Sequence, residues 1–118
     1  MASQRDQREI PRIQPFVAPC RWVRGDRRVP GFLTDLSERG CRIHTDEEAP
    51  AVGSSLVVEA RLGRQATHLR IPATVRWSQV SPRGGFQFGM RFEGVDTETQ
   101  KALEAVVEEF RRRAASIA

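Results

Sequence analysis

Between Leu69 and Trp77 every second residue is apolar: Leu69, Ile71, Ala73, Val75 and Trp77 alternate with Arg70, Pro72, Thr74, Arg76 and Ser78. A period of two sends successive side chains to opposite faces, so this stretch predicts a half-buried β-strand and excludes a helix. Five other stretches repeat the pattern. Phe16, Ala18, Cys20 and Trp22 alternate with Val17, Pro19, Arg21 and Val23, and Gly25-Asp26 then predicts a hairpin turn. A second strand runs from Val29 to Leu36, where Pro30-Gly31 predicts a bulge or a sheet edge, and Phe32, Thr34 and Leu36 share one face. Cys41 and Ile43 alternate with Arg42 and His44; Leu56, Val58, Ala60 and Leu62 form a fourth apolar face; Phe86, Phe88, Met90 and Phe92 form the last. Six strands at hairpin spacing, each with a single apolar face, predict a mainly β fold: a small six-stranded antiparallel β-barrel.

The period changes at Asp96. Leu103, Val106, Val107 and Phe110 follow helical spacing, and Thr97 with Gln100 fits a capping box. Glu98 near the start and Arg111-Arg112-Arg113 near the end complement the helix dipole. The expected C-terminal α-helix is amphipathic and plugs one end of the barrel, with the basic triplet solvated. Residues 1–15 are polar, carry Pro11 and Pro15, and show no period, which predicts a flexible N-terminal arm ahead of a single barrel-and-helix domain over residues 16–118.

At 118 residues the chain can bury a core without a metal or disulfide staple. Cys20 and Cys41 fall on apolar strand phases and read as small buried hydrophobes; without a CxxC or His-Cys cluster, no metal site is expected. His44 and His68 are isolated and read as strand-surface residues. Residues 1–15 lack an apolar run and no stretch reaches membrane-span length, so a cytoplasmic protein without membrane contact is expected.

The formal net charge is +4, and Lys101 is the only lysine. Arginine is the side chain for bidentate recognition of phosphates and base edges. Seven arginines fall within the first 28 residues, against Asp6, Glu9 and Asp26, which points to an anionic partner near the N-terminal part. Arg8 and Arg12 form a cationic fork on the arm. Asp35-Leu36-Ser37-Glu38-Arg39-Gly40 closes the second strand; with Leu36 facing the core, Asp35 and Ser37 project outward together. Gly40 permits a positive φ and close approach of a ligand to the backbone. Guanidinium planes suit phosphates and the O6/N7 edge of guanine, and a carboxylate suits the guanine N–H donors.

With these two segments, Arg8-Glu9-Ile10-Pro11-Arg12 and Asp35-Leu36-Ser37-Glu38-Arg39-Gly40, the chain resembles the PilZ domain family, bacterial receptor modules for cyclic di-GMP. The family signature is RxxxR before the first strand and (D/N)xSxxG after the second. Ala73-Thr74-Val75-Arg76-Trp77 and Phe88-Gly89-Met90-Arg91-Phe92 also resemble its last two strands, so the resemblance covers roughly residues 8 to 113. It implies a barrel with a C-terminal helix that binds cyclic di-GMP on its outside through Arg8, Arg12, Asp35, Ser37 and Gly40. Gln7, Arg5 and Trp77 are further candidate contacts, although the register of Trp77 favours the core. Gln7 stands where many members carry arginine, which leaves open whether one or two nucleotides bind. Ordering the arm costs about 1–2 kcal/mol per residue, against about 1.5–3 kcal/mol returned by each charge-assisted hydrogen bond, so ligand and arm order are coupled. The expected output is a new surface for a partner protein.

Three other readings compete. A PilZ-like adaptor would act by protein contacts without nucleotide. A basic barrel binding single-stranded nucleic acid would need exposed aromatics among its arginines, yet Phe86, Phe88 and Phe92 share a core register. Catalysis is the weakest, because no nucleophile with a base, paired carboxylates or metal cluster assembles. No enzymatic activity, no cofactor and no nucleic-acid partner are expected.

Overall fold

The computed structural model describes residues 17–117, and the arm with Arg5, Gln7, Arg8 and Arg12 lies outside the described residues. Among them six strands and one helix follow in order: β1 (Ala18–Arg24), β2 (Arg27–Leu36), β3 (Gly40–Thr45), β4 (Ser55–Leu62), β5 (Thr67–Val80), β6 (Phe86–Phe92) and α1 (Thr97–Ile117). All pairings are antiparallel, in the closed order β1-β2-β3-β6-β5-β4, and β4 returns to β1 through Arg21↔Glu59, Trp22↔Val58 and Val23↔Val57. Closure buries the single apolar face of every strand at once and gives every strand a neighbour on both sides.

Inside, Trp22 and Phe88 meet edge to face with ring centroids 5.4 Å apart. The Trp22 indole N–H donates to Thr45 Oγ1 at 3.3 Å, and that hydroxyl donates to the Pro30 carbonyl at 3.2 Å, so the buried polar atoms are paired. Cys20 and Cys41 are buried as expected. Burial pushes the Cys20 thiol up to about 12 and the Cys41 thiol up as well, which keeps both protonated and unreactive at neutral pH.

One local expectation is narrowed and two are corrected. Pro30-Gly31 is not the bulge but a local edge: pairing with β1 runs through both residues, whereas pairing with β3 begins only at Phe32↔His44, so both have a strand partner on one side alone. The irregularity lies between Leu33 and Asp35, where Thr34 is the extra residue; Leu33 and Leu36 therefore both face the core while Phe32 is 50% exposed. The helix is capped by Asp96 and not by Thr97: Asp96 Oδ1 accepts from the Thr99 N–H at 2.7 Å. Thr97 is already the first helical residue, one position too late to cap.

Leu103, Val106 and Val107 are buried, so α1 closes one mouth of the barrel. It is tied on two sides there. Glu109 Oε2 accepts from the Arg64 N–H in the β4–β5 turn at 2.9 Å, and Arg111 pairs with Glu38 in the β2–β3 turn. Within the basic triplet Arg112 and Arg113 are exposed as expected, whereas Arg111 is engaged and the helix runs on past all three to Ile117. Ala18↔Leu33 places the start of β1 at this same mouth. No helix among the described residues is long and apolar enough to cross a membrane.

Candidate functional site

Two bulges shape the outer wall. On β2 the extra residue Thr34 reverses the alternation, so that Asp35, which would follow Leu33 inward, turns outward. On β5 the register shifts in the same way between Val75 and Trp77, with Arg76 extra. Trp77 leaves the core register of Leu69 through Val75 and stands outside, 39% exposed, which corrects the expectation of a core position.

The registers Asp35↔Arg42, Arg42↔Gly89 and Gly89↔Trp77 line these residues up in one transverse row across β2, β3, β6 and β5. Three steps between neighbouring strands give the row a length of about 14 Å. At one end Arg42 Nη2 lies 3.9 Å from Asp35 Oδ2, and Arg42 Nε donates to Thr34 Oγ1 at 3.2 Å. The Thr34 hydroxyl thus helps hold the guanidinium beside the carboxylate. At the other end the indole of Trp77 lies across β6 at Gly89: a Cβ built on Gly89 would overlap Nε1, Cε2 and Cζ2 of the ring. A carboxylate, a guanidinium and an aromatic face in line can accept N–H donors, bind an anion or base edge, and stack a planar base.

Ser37 and Gly40 form the turn at the row's edge. Ser37 Oγ accepts from the N–H groups of Arg39 and Gly40 at 3.1 and 3.3 Å, and the Ser37 N–H donates to the Gly40 carbonyl at 2.9 Å. The serine hydroxyl therefore shapes the turn. Gly40 does not adopt a positive φ, contrary to the expectation; glycine is required because a Cβ would collide with the Met90 carbonyl on β6. Glu38 in this turn is held below the usual carboxylate range, first by the hydrogen bond from Arg111.

The structure thus brings together Asp35, Ser37, Gly40 and, at the far end of the row, Trp77, whereas Arg5, Gln7, Arg8 and Arg12 lie outside the described residues. It adds Thr34 and Arg42. Alternation put Arg42 on the outer face, but only the cross-strand register reveals Asp35 as its neighbour. Exposed aromatics exist after all, in Phe32 and Trp77. Three strand steps separate β2 from β5, about 14 Å, too far for successive bases of one strand to stack on both. Among the described residues no group of three or more His, Cys, Asp or Glu could hold a metal ion.

The sequence model of the PilZ domain matches residues 6–109. No curated protein matches the chain. Among solved structures it is similar to the PilZ domain with c-di-GMP of YcgR from Escherichia coli, at TM-score 0.64 and 16% identity, over 85% of this chain and 86% of that one. It is also similar to the Bacillus subtilis inhibitor of motility MotI/DgrA, at TM-score 0.68 and 18% identity, over 86% of this chain and 49% of that one. A third likeness is to apo MrkH of K. pneumonia, at TM-score 0.72 and 13% identity, over 98% of this chain and 56% of that one. The chain spans about half the length of these last two proteins, and at such identities the likeness is one of fold.

Proposed function

The chain belongs to the PilZ domain family, and from that premise we propose that it is a receptor for cyclic di-GMP that orders its N-terminal arm on binding and signals through a partner protein. The observation that carries this reading is the outward row from Asp35 through Arg42 and Gly89 to Trp77, beside the Ser37–Gly40 turn. Asp35 accepts the guanine N–H donors, Arg42 faces the base edge or a phosphate, and the indole of Trp77 offers a stacking surface. Gly89, without a side chain, lets that indole lie against β6 beside Arg42.

Arg8 and Arg12 supply the remaining cations. Val17, the first described residue, precedes the pair Ala18↔Leu33 and so lies close to Thr34 and Asp35. Five residues span at most about 18 Å and nine about 32 Å, so both arginines reach the row from Val17. Their charge-assisted bonds to the ligand offset the entropy of ordering the arm.

Calorimetry with cyclic di-GMP tests the reading. Wild-type protein binds, Arg8→Ala, Arg12→Ala or Asp35→Ala removes the binding, and circular dichroism shows each variant folded. One observation favours the adaptor reading instead: Ser37 bonds its own turn and Asp35 pairs with Arg42, as in a turn that serves only the fold. Absence of heat at millimolar ligand decides for that adaptor.

A further inference from the structure

The Ser37–Gly40 turn is joined to α1 by a two-bond fork. Arg111 Nη1 and Nη2 donate to Glu38 Oε2 and Oε1 at 2.7 and 2.8 Å, with both side chains 28% exposed. Parallel bonds between two planar groups fix orientation as well as distance. Glu38 stands between Ser37 and Gly40, and the next carbonyl, that of Arg39, accepts from the Phe92 N–H at 2.8 Å. The turn is therefore held by β6 through its backbone and by α1 through one side chain. Along α1, Leu103, Val106 and Val107 are sunk in the barrel mouth, whereas Arg112, Ala114 and Ala115 beyond the fork are exposed.

We propose that Arg111 is a positioning residue for the nucleotide turn, and that through the Glu38–Arg111 fork occupancy of the turn sets how firmly the last turns of α1 are held. The inference rests on the receptor reading given above. A ligand that selects one geometry of the turn strengthens every contact that favours that geometry, and the strengthening is reciprocal. The fork also neutralises a carboxylate that would otherwise stand in the turn beside an anionic ligand. Arg111 thus supports affinity and transmits occupancy through the same pair.

The two roles separate in the full chain by calorimetry with cyclic di-GMP and by amide hydrogen exchange over residues 108–117 with and without the nucleotide. Wild-type protein binds, and ligand slows exchange in the last turns of α1. Arg111→Gln binds about tenfold more weakly, because the Glu38 carboxylate is left unpaired. The double variant Glu38→Gln/Arg111→Gln recovers most of that affinity, yet ligand no longer slows exchange in the helix. Arg111→Lys keeps the charge without the fork; it binds more tightly than Arg111→Gln, falls short of wild type by the coupling it lacks, and loses most of the ligand-induced protection. Wild-type affinity in Arg111→Gln, or full protection in the double variant, overturns the proposal while leaving the receptor reading intact. Absence of binding by wild-type protein overturns the receptor reading, and the proposal with it.

Discussion

Gly89 and Gly40 look alike in the sequence but exclude a side chain for different reasons. At Gly89 the space is taken by the Trp77 indole, which can swing away; at Gly40 it is taken by the Met90 carbonyl, which cannot move without opening the β3–β6 pairing. Gly89→Ala is therefore expected to displace Trp77 at a stability cost below about 1 kcal/mol. Fluorescence checks this, since Trp22 is buried in the core and any red shift in emission reports Trp77. An unchanged spectrum means that the indole does not rest on Gly89. Arg42 shows how little one residue reveals alone: its role comes from Thr34 and Asp35, eight and seven positions upstream.

Among the elements, β2 and β5 share a device. Each carries a bulge that inserts one residue and reverses which face the following side chain meets. After Asp35 the reversal left a mark, because Leu36 is apolar and fixes the phase from downstream. After Trp77 it left none: Ser78, Gln79 and Val80 are all exposed, so nothing beyond the bulge signals the new phase. For the same reason extrapolating the Leu69–Val75 pattern by one step put Trp77 on the wrong face. The start of α1 has a comparable ambiguity between adjacent capping residues. Asp96→Ala is expected to destabilise the protein by about 1 kcal/mol in urea unfolding, and Thr97→Ala by much less. Equal effects of the two substitutions count against Asp96 as the cap.

At the scale of the whole molecule, one barrel mouth gathers the start of β1, the β2–β3 and β4–β5 turns and the helix. Ion pairs join parts far apart in sequence. Arg111 holds the Glu38 carboxylate low; at Glu59 burial pushes upward, but the hydrogen bond from Arg28 and the charges of Arg28 and Arg70 outweigh it. A carboxyl whose folded value lies below its unfolded value stabilises the fold above the unfolded value, near 4.5 for these two, and loses that contribution as pH falls through the folded value. The melting temperature is therefore expected to drop as pH is lowered from 4.5. Glu38→Gln shows a shallower drop; a drop as steep as wild type's means that the fork contributes nothing to folding.

The sequence alone determined the six strands, the barrel, the helix in its mouth and the outward direction of Asp35, because side-chain alternation is a local property and only a closed sheet buries every apolar face at once. Tertiary structure decided which outward residues meet. The row from Asp35 to Trp77 depends on the register between four strands and on two bulges, and the Glu38–Arg111 fork joins residues 73 positions apart. Alternation and turns fix which face a strand buries, but the position of a bulge and the pairing of residues distant in sequence are settled only as whole strands pack against one another.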